Sequence, residues 1–219
     1  YLWSGFDYIG EPTPYHTRNS YFGQIDTAGF PKDSYYLYQA AWIDRREKPV
    51  VHVFPYWDFN PGQLIDVRIA SNADVVELLV NGVSKGRQRI NHTGESKLTG
   101  DYRIAYEKGE ITAVAYDENL KEIARETRSS FGEPVRLILT QYEPERTLFA
   151  GTGDMAFFTV VAVDEADHPV ENANNRIEVS VEGAGWLTGL DNGDSTDMDE
   201  YKGSSRRLFS GKLLDRKST

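Results

Sequence analysis

Between residues 50 and 131 the sequence breaks into short apolar runs separated by turns, and this pattern restricts the fold more than any other feature of the chain. VVHVFPYW, LIDVRIAS, VVELLVNG, RIAY, EITAVAYDE and KEIARETRS are each of strand length, with Pro-Gly, Asn-Gly, Lys-Gly and Glu-Asn pairs among the segments between them. Many short runs spaced by such turns predict a β-sandwich, and Asn-Gly in particular predicts a tight hairpin. The pattern pauses near Gly132 and restarts with VRLILTQY, FFTVVAVDEADHPV, RIEVSVEG and RRLFSGKLL. That restart predicts a second sandwich of roughly 80 residues. TAVAYDENLKEIA and TVVAVDEADHPVE echo each other as alternating strands that enter an acidic turn and leave on an apolar residue. Such an echo belongs to repeated immunoglobulin-like modules and speaks to architecture alone.

The first 47 residues read differently. Residues 1–9 predict a short strand that runs into a loop containing Gly10, Pro12 and Pro14 and continuing to about Lys32. SYYLYQAAWIDRR then places Tyr36, Leu37, Ala40, Ala41 and Trp42 at helical spacing, with Asp33 as the expected N-cap and Arg45 and Arg46 in the last turn. One strand and one helix bury too little surface to stand alone. They are expected either to pack against the first sandwich or to finish a larger α/β domain. A chain that starts YLWSG rather than with methionine reads as a piece of a longer protein.

Composition excludes several functions. The 24 basic and 34 acidic residues give a net charge of −10, which repels a phosphate backbone, so no nucleic-acid partner is expected. The basic runs DRREK and SSRRLFSGK are short and read as solvated surface. With no cysteine there is no disulfide, thiol nucleophile or thiolate zinc site. No apolar stretch is long enough for a transmembrane helix, no signal peptide is visible, and no membrane partner is expected. His52, His92 and His168 follow no metal-binding spacing, neither GxGxxG nor GxxxxGK[ST] occurs, and no serine is expected in a nucleophile elbow. The acidic stretch LDNGDSTDMDE at 190–200 does not fit a calcium loop and reads as a turn in which Asn-Gly supplies positive φ and side chains bond their own backbone. Asn91-His92-Thr93 matches the glycosylation pattern, a weak signal. No metal or cofactor is expected.

The segment WSGFDYIGEPTPY from Trp3, followed by NSYFGQIDTAGFPKDSYYLYQAAW, resembles the closing strand, loop and helix of the catalytic (β/α)8 barrel of glycoside hydrolase family 2, in its β-galactosidase branch. HVFPYWDFNPGQLIDVRIASNADVVELLVNGVSKG at 52–86 is similar to the immunoglobulin-like domain that follows the barrel. FAGTGDMAFFTVVAVDEADHPVENANNRIEVSVEGAGWLTGLDNGD at 149–194 is similar to the next such module. The likeness covers nearly the whole chain and fails at KLLDRKST, where an apolar final strand is expected. It implies a mainly β chain: residues 1–47 as a barrel remnant, 48–131 as one immunoglobulin-like sandwich and 132–219 as a second whose end is cut short.

The resemblance also implies a parent enzyme that hydrolyses β-glycosides, most simply terminal β-galactosides, with retention, using two glutamates about 5 to 5.5 Å apart. Those glutamates are expected upstream, on the fourth and seventh barrel strands, because a barrel takes about 250 residues. The chain alone is then expected to be inactive. By the same analogy Trp3 forms part of the floor of the sugar site, where its flat apolar face suits the C–H face of a sugar. Asp7 and Glu11, with Tyr8, fall at the end of a barrel strand and either contact sugar or hold the loop. Four extended residues span about 13 Å, too far for Asp7 and Glu11 to be a retaining pair unless the turn shortens the path. His16, which Arg18 follows on the same loop, is expected at the surface, and Asn19, Ser20 and Phe22 are expected as loop scaffolding. Partners implied by the resemblance are the β-galactoside, the rest of the barrel and further copies in a homo-oligomer. It favours a periplasmic or extracellular setting over the cytoplasm, although no residue fixes the compartment. A tandem that binds carbohydrate on its own, through Tyr56, Trp57 or Trp186, is the competing reading, and a pair of plain spacer modules is a third. Core packing is expected for the first two aromatics, with Trp57 anchoring the sandwich to the helix.

Overall fold

The computed structural model describes residues 2–13, 15–92, 97–149 and 151–218, so the glycosylation pattern at Asn91 extends, through Thr93, outside the described residues. Its architecture is mainly β, with one short helix, two immunoglobulin-like sandwiches and a strand-loop-helix barrel remnant at the start. No helix among the described residues is long and apolar enough to cross a membrane. The chain divides into two compact units, Tyr1–Phe30 with Gly132–Thr219, and Pro31–Phe131.

The opening strand forms later than the sequence suggests. β1 (Tyr8–Thr13) and β2 (Asn19–Ser20) pair in parallel, with shifts in register along β1. Residues before Tyr8 are held instead by an isolated bridge between Phe6 and Ile25. Gly10 and Pro12, read as loop signals, thus lie in an irregular strand, and Pro14 falls outside the described residues.

In the second unit, α1 (Asp33–Trp42) is shorter than its pattern predicts. Lys32 occupies the N-cap position without a side-chain cap bond, and Asp33 is the first helical residue. Its carboxylate is taken by His52 at 2.9 Å. Ile43 ends the helix, so Arg45 and Arg46 lie beyond its last turn; Arg45 pairs with Asp74 and Glu118, and Arg46 with Asp44. Charge partners outside the helix outcompete the weak attraction of its C-terminus for these cations.

The first sandwich packs a three-stranded sheet, β3 (Val51–Phe54), β4 (Leu64–Ser71) and β7 (Thr99–Ala105), in that order, on a four-stranded one. The latter contains β5 (Val75–Val80), β6 (Val83–Arg89), β8 (Glu110–Tyr116) and β9 (Glu122–Ser129), ordered β6-β5-β8-β9. Period-two patterning does what it should in β4: Ile65, Val67 and Ile69 are buried while Leu64, Asp66 and Arg68 face outward. Asn81 and Gly82 both take positive φ, 51° and 78°, to close the β5–β6 hairpin. β6 was not visible as a strand, because an edge rich in Lys, Arg and Gln carries no apolar face. Trp57 is fully buried in this core, against Phe59 and Tyr106, and donates its indole N–H to the Glu107 carbonyl at 3.0 Å. It anchors the core itself; the helix packs on β3 through Tyr36, stacked on His52.

The second sandwich contains the sheet β10-β11-β15-β13, built from β10 (Arg136–Gln141), β11 (Met155–Val163), β13 (Trp186–Asp191) and β15 (Lys212–Ser218). β12 (Arg176–Glu178) and β14 (Ser205–Arg207) form a smaller one. KLLDRKS, expected to fall short of a strand, is β15 and pairs on both sides. Leu213 and Asp215 are buried in alternation with their neighbours, a pattern hidden by the charge of the run.

Candidate functional site

The predicted sugar-site residues cluster on the opening segment, and the structure separates their roles. The Asp7 N–H donates to the Ile25 carbonyl at 2.8 Å, which turns the side chain inward; its carboxylate is buried and accepts the Gly23 N–H at 2.8 Å. Trp3 is 63 % exposed and donates its indole N–H to the Tyr8 hydroxyl at 3.2 Å. The Tyr8 hydroxyl in turn donates to the Glu11 carboxylate. Glu11 is held in the left-handed region, φ 45°, where the register of β1 slips. Trp3, Tyr8 and Glu11 therefore form a hydrogen-bonded line at the surface, presenting an apolar ring beside an acceptor. His16 is exposed, while Asn19 and Ser20 are buried scaffold, as read from the sequence.

The loop behind this line docks on the turn after β13. The Arg18 N–H donates to the Ser195 carbonyl at 2.7 Å, its guanidinium lies 4.6 Å from the centre of the Tyr201 ring, and Asn19 donates to the Tyr201 hydroxyl at 2.6 Å. The buried Arg206 guanidinium sits 4.7 Å from the same ring and bonds Asp197 and the Leu190 carbonyl at 3.1 and 3.0 Å. Asp26 is buried with its Oδ1 accepting the Phe30 N–H at 2.8 Å. Its other oxygen fills the space beside Gly193, where a Cβ would stand 2.1 Å away. Asp191 accepts from Thr27 and from the Gly193 N–H at 3.1 and 3.0 Å. Burial pushes Asp26 up to about 6, against the Phe30 and Ala28 amides and with help from the Asp191 and Asp7 charges. The acidic stretch is thus a turn whose side chains bond their own backbone and a docking loop, with positive φ at Gly193. Among the described residues no group of three or more His, Asp or Glu is placed to hold a metal ion.

Other sequence signals resolve into structure. Tyr56 stacks on Phe59, Trp57 is core, and Trp186 is exposed on an edge strand, so the three do not make a row on one strand. Against the expectation of no serine in a nucleophile elbow, Gly82-Val83-Ser84-Lys85-Gly86 has that spacing. Ser84 lies in a hairpin strand and donates to Glu77 at 2.6 Å, with no strand-to-helix turn around it. The contribution of Tyr201 and Arg206 was also missed, since their contacts are with residues far away in sequence.

Comparison with known proteins defines the class first. Residues 141–215 match the model of glycoside hydrolase family 2 C-terminal domain 5, and residues 62–124 match a domain of unknown function, DUF4982. The chain is 42 % identical over 218 residues to beta-galactosidase BoGH2A of Bacteroides ovatus, covering 98 % of this chain and 24 % of that protein. It is 32 % identical to a putative beta-glucuronidase of Formosa agariphila, covering 97 % of this chain and 21 % of that one. A solved beta-glycosidase from Bacteroides vulgatus superposes with a TM-score of 0.88 at 31 % identity, over 98 % of this chain and 26 % of that one. The chain is homologous to β-galactosidase- and β-glucuronidase-like proteins of glycoside hydrolase family 2 and matches a C-terminal portion of such larger enzymes. It spans about a quarter of the length of the curated relatives it matches.

Proposed function

We propose that this chain is an accessory C-terminal part of a retaining, exo-acting β-glycosidase that removes terminal β-galactosides. In this reading Trp3 stacks on the sugar, Glu11 accepts a sugar hydroxyl, and Asp7 holds the loop from behind. Residues 1–47 complete the barrel, and the sandwiches at 48–131 and 132–219 buttress it. The two catalytic glutamates lie elsewhere in the longer protein, and the chain alone hydrolyses nothing. The observation that carries the reading is the 42 % identity to a named beta-galactosidase, sustained over 218 residues.

The chemistry of the opening segment supports a neutral sugar over a glucuronide. Recognition of a glucuronide carboxylate calls for a cation, and no Lys or Arg occurs before Arg18, which is spent on Tyr201 and the 195–199 backbone. Glu11 adds negative charge where an anionic sugar would need the opposite.

The test is hydrolysis of chromogenic β-galactoside and β-glucuronide by the longer protein, its Trp3→Ala variant and this chain alone. Galactoside turnover by the longer protein, lowered about tenfold or more in kcat/KM by the substitution, is expected; tenfold corresponds to ~1.4 kcal/mol of transition-state binding. Faster glucuronide turnover, or hydrolysis by this chain alone, overturns the proposal.

A further inference from the structure

His52 has no part in the proposed sugar site, yet it is the meeting point of three elements. It lies on β3 with 2 % exposure, its Nε2 2.9 Å from Asp33 at the start of α1 and its Nδ1 3.2 Å from Glu126 on β9. Its ring stacks on Tyr36 of the helix, centroids 3.7 Å apart and planes 16° from parallel. The second oxygen of Glu126 accepts the Val53 N–H of β3 at 2.6 Å, and Arg128 on the same strand stands 4.0 Å from Glu126. The ring therefore ties the helix to the three-stranded sheet, and Glu126 ties both to the four-stranded one.

The geometry dictates the protonation state. Ionised carboxylates only accept, and a neutral imidazole has one N–H; only the imidazolium donates to Asp33 and Glu126 together. We infer that His52 is a proton-operated clamp that holds the first turn of α1 on the sandwich when charged and releases it when neutral. Deprotonation leaves one carboxylate facing a lone pair, and Asp33 is the one that lets go. Its side chain is 51 % exposed and readily rehydrated, whereas Glu126 is only 29 % exposed and keeps the Val53 N–H and Arg128. The charged and titratable groups facing the ring are thus Asp33 and Tyr36 from the helix and Glu126 and Arg128 from β9.

Burial opposes the positive charge and so does Arg128, but the hydrogen bonds to Asp33 and Glu126 hold His52 above the usual imidazole value. A raised pKa places the clamp's stabilisation in full below about pH 6.5, and it is lost as the pH rises through the folded-state value.

Because the chain has no cysteine, a nitroxide on Ser34→Cys, a half-buried position in the first turn, reports the clamped end of α1. Its mobility is followed by electron paramagnetic resonance from pH 5 to 9 while 13C-histidine spectra follow His52. The label is expected to be restricted at low pH and to loosen over the range in which His52 loses its proton, with a midpoint above the ordinary ~6.5. Asp33→Ala moves that midpoint down and leaves the label loose at low pH. Glu126→Gln also lowers it, but its amide can donate to a neutral ring, so the label stays restricted to higher pH. A His52 midpoint at or below the ordinary value, or label mobility that does not change across the His52 transition, overturns the inference. So does a label transition that persists in His52→Gln. The readouts do not depend on glycosidase activity, so failure here leaves the proposed function standing.

Discussion

Asp26→Asn should stabilise the unit formed by Tyr1–Phe30 and Gly132–Thr219 at neutral pH. Asp26 is 8 % exposed, and its carboxyl is pushed from 3.8 up to about 6 by burial, with the Asp191 and Asp7 charges adding to it. A group that holds its proton more tightly when folded contributes stability at low pH and loses it as the pH rises. The window runs from about 4 to about 6, and at about 1.4 kcal/mol per pH unit of displacement the loss is on the order of 3 kcal/mol. Asparagine keeps an oxygen for the Phe30 N–H, removes the charge and offers a donor towards the neighbouring carboxylates. Urea titrations of the chain at several pH values between 4 and 8, with hydrogen exchange assigning the transition to residues 132–218, measure the difference. The wild-type unit should weaken across the window, and the variant should keep its stability and exceed wild type at pH 7. A variant weaker than wild type at pH 7, or one that shows the same decline between pH 4 and 6, refutes the reasoning.

Three further outcomes follow from buried groups. Replacing Arg206 by Met removes the cation bonded to Asp197 and the Leu190 carbonyl and leaves a carboxylate side chain only 10 % exposed without it; a loss of about 3 to 5 kcal/mol in the same urea titration is expected. Trp57→Ala empties the centre of the first sandwich and strips the Glu107 carbonyl of its donor, and should cost about 3 to 5 kcal/mol, read from the unfolding of residues 31–131. Gly193→Ala combines φ 76° with a Cβ 2.1 Å from Asp26, so calorimetry should show a destabilisation of about 1 to 3 kcal/mol, with faster amide exchange in residues 15–30.

What could be read beforehand follows from where each signal resides. The alternation in β4, the apolar run of β8 and the Asn81-Gly82 turn are local, so the first sandwich was legible from its strands. β6 escaped because an edge strand needs no apolar face, and β15 because Leu213 and Asp215 share the inner side of a run that otherwise reads as charged. The start of α1 was misassigned by one residue because Asp33 has the chemistry of a cap but spends it on His52, a partner 19 residues away. Trp3, Asp7 and Glu11 were picked out by resemblance; the sequence held nothing to separate inward Asp7 from outward Glu11, since that depends on Gly23 and Ile25 across the loop. The docking of Arg18 and Asn19 on Tyr201 spans some 180 residues and leaves no mark in either segment.

Because the chain leaves one compact unit at Phe30 and rejoins it at Gly132, that unit is discontinuous and the other is nested inside it. Domains generally fold as they emerge during synthesis, N-terminal parts first. Here the order is inverted for the opening segment. The contacts within residues 31–131 can form once that stretch is made, whereas Arg18 and Asp26 wait for Tyr201 and Gly193. On the ribosome the sandwich of residues 31–131 can close while Asn19 and Asp26 of the opening segment still lack Tyr201 and Gly193. Of this unit, the stretch made first waits longest for its partners.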